Sequence, residues 1–196
     1  MSFVIYPVGA DLDAPLEMAR WRPLVQWFLA IPHLALAAVI GRVGQVVGII
    51  SWFAIVFTGR LPDGLANFQC LVIRYQTRAF TYAVFLYDDY PPFAFAMAAD
   101  EPAGSPLRVD LATELENRNR LTVGLRIFWL IPIALYSIVI GIAAVFVGIA
   151  GFFAVLFTGR WPEGMRRFLV DATRLSVRVN AYGSLLIDDY PPFALS

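Results

Sequence analysis

Lysine is absent: all 15 basic residues are arginine. There is one cysteine, Cys70, and one histidine, His33. A lone cysteine excludes an internal disulfide. So few thiols and imidazoles leave no Cys/His metal spacing, and neither a Gly-rich phosphate loop nor a Gly-x-Ser-x-Gly elbow occurs. Charged residues make up 15% of the chain, against about 25% in soluble domains. The formal net charge is zero, which excludes an overall basic field for nucleic acid. What is abundant is apolar: 59% of residues, with mean hydropathy +0.67, against roughly 45–50% in soluble chains. These values indicate an integral membrane protein. Residues 1–19 lack a basic n-region and an apolar h-region, so no cleavable signal is expected and the first apolar segment serves as its own insertion signal. The all-arginine usage reads as codon bias of a GC-rich bacterial genome. Even linker positions expected to be exposed, Arg108 and Arg118, are arginine. The competing reading is a preference for bidentate partners such as lipid phosphate.

The sequence repeats itself. Shifted by 100 residues without a gap, residues 20–95 overlie 120–195 with 30 identities in 76 positions. This divides the chain into a leader (1–19), a first repeat (20–95), a linker (96–119) and a second repeat (120–196). Phe3, Ile5 and Pro7 alternate before Asp11, Asp13 and Pro15, and Leu107, Val109 and Leu111 alternate in the linker, so each repeat is expected to begin with a short peripheral strand. Between them Ala99 to Pro106 has loop composition.

Each repeat continues with about 35 nearly unbroken apolar residues, Pro23 to Phe57 and Leu121 to Phe157. One helix of that length would run about 52 Å, far beyond a ~30 Å hydrocarbon core. The expectation is therefore a short helical hairpin turning at Gly41 and Gly141, with Pro32 and Pro132 kinking the first arm. Full transmembrane arms and a re-entrant dip both remain open. Gly44, Gly48, Gly148 and Gly151 suit close helix contact. The third element carries an apolar stripe at helical period, Leu61 to Leu86 and Trp161 to Leu186. Pro62 with Asp63 and Pro162 with Glu163 suit its first turn. Arg74, Arg78, Arg174 and Arg178 lie on its basic side, and Arg167 and Asp171 are spaced as an i,i+4 pair. It reads equally as an amphipathic interfacial helix and as one packed on its neighbours. The fold class is thus an all-α membrane protein with two parallel tandem repeats. Arginines cluster at the outer hairpin ends, which places both termini in the cytoplasm and the chain, multi-pass, in the bacterial inner membrane.

Two motifs occur in both copies. Phe-Thr-Gly-Arg (Phe57 to Arg60, Phe157 to Arg160) reads as a membrane-exit turn, with Gly59 and Gly159 as left-handed caps and Arg60 and Arg160 at headgroup level. A lipid-phosphate clamp is the functional alternative. Asp-Asp-Tyr-Pro-Pro-Phe (Asp88, Asp89, Tyr90, Pro91, Pro92, Phe93; Asp188, Asp189, Tyr190, Pro191, Pro192, Phe193) ends each repeat in an extended conformation. Adjacent carboxylates at a membrane edge need partners, so Asp88 or Asp89 is expected to pair with Arg60, Arg74 or Arg78, and Asp188 or Asp189 with Arg160, Arg174 or Arg178. Neighbouring carboxylates in an extended chain point apart, and no nucleophile accompanies them, which argues against acid–base catalysis. Cys70 corresponds to Val170 in the other copy and reads as a small buried apolar residue. His33 corresponds to Ile133 and reads as hydrogen-bonded structure.

These residues resemble a known family. Ile31-Pro32-His33, Trp52-Phe53-Ala54, Phe57 to Arg60, Arg74, Arg78 and Asp89 to Phe93 are similar to the bacterial membrane family called domain of unknown function 4389, and the second copy matches through Ile131-Pro132, Phe153-Ala154, Phe157 to Arg160, Arg174, Arg178 and Asp189 to Phe193. Ile133 departs from the family's frequent His. The resemblance implies a small multi-pass membrane protein and no established activity or cofactor. The expected function is a non-enzymatic scaffold or accessory subunit, self-assembled or bound to a larger complex and in contact with membrane lipids. A lipid-binding or transport-assisting protein and an oligomeric pore are the alternatives.

Overall fold

The computed structural model describes residues 6–95 and 105–195. Phe3 and Ile5, and the loop residues Ala99 to Gly104, lie outside them. The elements run β1 (Val8–Leu12), α1 (Arg22–Thr58), α2 (Asp63–Ala83), β2 (Leu107–Leu111), α3 (Arg120–Gly124), α4 (Arg126–Thr158) and α5 (Glu163–Gly183). The expected strand in the linker is β2 as read. In the leader a strand spans Val8–Leu12, and Asp11, expected to break a strand there, sits within it.

The hairpins are not formed. The first apolar stretch is one helix, α1 of 37 residues; the second is broken only near its start, at Leu125 between α3 and α4, and α4 then runs unbroken for 33 residues through Gly141. At 1.5 Å per residue these run about 55 and 50 Å. A turn at Gly41 or Gly141 would need backbone outside the helical region, yet among the described glycines only Gly59 and Gly159 have positive φ. An apolar run with no capping residue offers no stop signal, and one mid-helix glycine costs only about 1 kcal/mol against alanine. Gly41 has a packing reason instead, since a Cβ there would strike the Gln76 side-chain amide of α2. Pro32 and Pro132 lie inside the helices without ending them.

The helices stop where the sequence says. Gly59 (φ 73°) and Gly159 (φ 75°) cap α1 and α4 in the left-handed region, each N–H bonding the carbonyl four residues back. Pro62 and Pro162 open α2 and α5, with Asp63 and Glu163 in the first turns. α2 then runs back along α1: Gln69 Nε2 donates to Gly44 O (2.8 Å), Gln76 Nε2 to Ala37 O (3.2 Å) and Gln26 Nε2 to Tyr82 O (2.7 Å). α1 buries only a narrow stripe, including Gln26, Ala30, His33, Ala37, Gly44, Ser51 and Ile55. α2 is buried on most sides, including Arg74 and Arg78. Of the two readings, interfacial and packed, the burial of Arg74 and Arg78 makes α2 a packed helix.

β1 and β2 form one antiparallel pair centred on Ala10 and Val109. Val8, Ala10, Leu107 and Val109 face the core, while Asp11, Arg108 and Asp110 are exposed. Each strand lies on the other repeat's helix. Arg174 of α5 donates Nε to Ala10 O (2.8 Å), and Arg74 of α2 donates Nε to Val109 O (3.3 Å). The layers are thus sheet, then α2 with α5, then α1 with α4, and one continuous core spans both repeats. Among the described residues the exposed large apolar side chains are concentrated on α1, α3 and α4, with others at Phe80, Met165 and the Tyr-Pro-Pro-Phe ends.

Candidate functional site

The two Phe-Thr-Gly-Arg turns lock the repeats together. Thr58 Oγ1 donates to Ala54 O (2.6 Å) and accepts from Arg60 N (3.2 Å), and Thr158 does the same with Ala154 and Arg160. The backbone beyond each turn pairs with the segment leading into the opposite repeat. Leu61 N bonds Leu115 O and Trp161 N bonds Leu16 O, while Gly59 O accepts from Arg118 N and Gly159 O from Met18 N. Between these anchors the second copy has one extra residue, Glu116-Asn117 against Glu17, and Asn117 absorbs it at φ 55°. Asn is among the residues that tolerate the left-handed region best. The C-terminal end of α1 therefore meets the N-terminal end of α4, and the converse holds at the other end. Arg60 and Arg160 are exposed there. Arg60 pairs with Glu116 (2.5 Å), both side chains more than 60% exposed, so the pair contributes little.

The expected pairing of the Asp-Asp motif is corrected. Asp188 binds Arg118, through Nε to Oδ2 (2.9 Å) and Nη2 to Oδ1 (2.7 Å), and also Arg126, whose Nη2 donates to Oδ1. It does not bind Arg160, Arg174 or Arg178. Among the described residues Asp88, Asp89 and Asp189 form no ion pair. Arg174 instead holds Asp11 and Asp171, each at 2.8 Å, so Asp171 pairs with Arg174 and not with Arg167. Arg78 and Arg178 reach the carbonyls of Ala94 and Ala194, pinning the segment after each Pro-Pro. Burial alone would raise the Asp188 carboxyl. Hydrogen bonds from Arg118 and the charges of Arg118 and Arg126 more than offset this and hold it below the ordinary carboxylate value.

Arg118 is buried, contrary to its expected place as an exposed linker residue. Its Nη1 also satisfies Glu114 O and Leu185 O. Arg126 bonds Ile187 O (2.9 Å) and lies 4.0 Å over the Tyr182 ring. Its counterpart Gln26 bonds Tyr82 O and Tyr87 O. The sequence reading missed both residues, although a polar residue in both copies at one position of an apolar run is a signal that could have found this place.

His33 is buried against Tyr75, with Nδ1 2.9 Å from the hydroxyl, and Phe93 stacks on its ring at 4.2 Å while Tyr90 meets it edge-on at 4.9 Å. The Tyr-Pro-Pro-Phe segment thus folds back over this position of α1. In the second copy Tyr190 packs on Tyr182 and Phe193 on Tyr136, above a buried Ile133.

Between α1 and the start of α4 runs a groove of about 1030 Å³. Gly41, Gly44 and Gly48 line one wall, and Gln69, Gln76 and Asn180 contribute polar groups. A second cavity of about 540 Å³ lies between α2, α4 and α5 and shares Gln76 and Asn180. Both are of the size that takes small ligands, roughly 300–1,000 Å³. Among the described residues no cluster of three His, Cys, Asp or Glu side chains could hold a metal ion.

α1 and α4 are each long and apolar enough to cross a membrane. No curated protein and no solved structure matches the chain. The model of a Domain of unknown function (DUF4389) matches twice, over residues 20–94 and 120–194. The chain belongs to that family, as a tandem pair of its units.

Proposed function

We propose that this protein is a non-enzymatic membrane scaffold or accessory subunit of the bacterial cytoplasmic membrane. The observation that carries the reading is the division of labour among residues. Motifs present in both copies cap helices, lock the repeats together and pin the end of each repeat. The broad apolar surfaces of α1 and α4 are left uncovered: Phe28, Phe57, Phe128, Phe146 and Phe157 are each more than 65% exposed. Surfaces of that extent on a folded chain belong against lipid or a partner's helices. Arg60 and Arg160 stand at the helix ends, where anionic headgroups would add about 1 kcal/mol per arginine.

The groove of about 1030 Å³ favours a second reading, lipid binding, because apolar side chains share its walls with the amides of Gln69, Gln76 and Asn180 and with Arg42 and Arg126. Native mass spectrometry of the gently solubilised protein separates the two. The scaffold reading expects a discrete homo-oligomer or a stoichiometric foreign subunit. A monomer holding one specific lipid would overturn it and put lipid handling first.

A further inference from the structure

We infer that α1 and α4 lie in the plane of one leaflet, with the apolar side seated in lipid and the sheet facing water. This rests on the membrane reading above and adds the orientation.

The position of the sheet carries the inference. Along α1, residues 37–44 lie opposite Gln69 to Gln76 of α2. Arg74, within that same stretch of α2, holds Val109 at the centre of the sheet. The sheet is therefore level with the midpoint of α1, and by the matching bond from Arg174 to Ala10 the same holds for the second repeat. If α1 and α4 ran along the bilayer normal, the exposed Asp11, Arg108 and Asp110 would sit at the bilayer centre. A two-stranded sheet also has two open edges, and open edges do not occur in hydrocarbon. Length points the same way, because helices of about 55 and 50 Å overrun a ~30 Å core by some 20 Å.

Turned through a right angle, the molecule meets none of these costs. The sheet and the apolar helices occupy opposite outer layers. Head-to-tail contact of α1 and α4 puts Arg60 and Arg120 at one end of the pair and Arg20 and Arg160 at the other, all four exposed. In the plane these two clusters lie at one depth, beside the headgroups, where their charge complements anionic lipid. The exposed Trp21, Trp27 and Trp129 suit the same interface.

The test uses the full chain expressed in bacteria, with Cys70→Ala as background and one cysteine introduced at a time: Ala19→Cys before α1, Gly64→Cys after it and Arg108→Cys on the sheet. Spheroplasts and inverted membrane vesicles are each treated with a membrane-impermeant maleimide. The in-plane arrangement expects all three sites to label in one preparation and none in the other. Labelling of Ala19→Cys and Gly64→Cys in opposite preparations, or protection of Arg108→Cys in both, would overturn it. Recovery of the protein outside the membrane fraction would overturn the membrane reading itself.

Discussion

His33 Nδ1 lies 2.9 Å from the Tyr75 hydroxyl, and the corresponding pair in the second repeat is Ile133 with Leu175, both buried. One fold thus accepts a hydrogen-bonded pair and an apolar pair at the same place. Breaking one partner leaves a buried polar group alone, at a cost of about 1–3 kcal/mol, whereas replacing both with apolar groups is close to neutral. We expect His33→Ile and Tyr75→Leu each to destabilise the protein by that amount. The double variant should recover at least about 1 kcal/mol of the summed loss, as read by denaturant unfolding in detergent. Simple additivity would contradict the pairing.

Asp188 and Asp88 share a motif but not an environment. Asp188→Asn leaves Arg118 and Arg126 buried without their counter-charge and should cost about 3–5 kcal/mol. Asp88→Asn should stay within about 0.5 kcal/mol. Since the Asp188 carboxyl is held low in the folded state, its contribution is present above about pH 4 and is lost as pH falls through the folded value. The acid limb of a stability–pH profile should therefore flatten in Asp188→Asn and persist in Asp88→Asn.

Two glycines of α4 report on the continuous helix. A Cβ at Gly141 meets open space, so Gly141→Ala should raise stability by up to about 1 kcal/mol. A Cβ at Gly151 would strike the Trp161 ring, so Gly151→Ala should destabilise by about 1–3 kcal/mol. A fold-back at Gly141 would reverse the first sign. Thermal unfolding of both variants decides.

Local chemistry made much of this fold legible. Gly59, Pro62 and Asp63 and their second copies marked helix ends correctly because caps depend on a few adjacent residues. The stripe from Leu61 to Leu86 marked the buried face of α2. The hairpin failed because a helix ends at stop signals such as Gly59 and Gly159, and the apolar run through Gly41 and Gly141 carries none. The partners of Asp188 were not legible, since Arg118 lies 70 positions away and becomes buried only when the leading segments exchange between repeats. Phe85 and Leu185 take positive φ in both copies (59° and 66°), a strained turn that no residue type announced.

The most direct measurement is amide I infrared dichroism of the protein in aligned bilayers containing phosphatidylglycerol, because the amide I transition moment follows the helix axis. With α1 and α4 in the leaflet plane, and α2 and α5 packed along them, absorption should be strongest for light polarised parallel to the membrane. Absorption strongest along the bilayer normal would mean spanning helices and would contradict the in-plane arrangement.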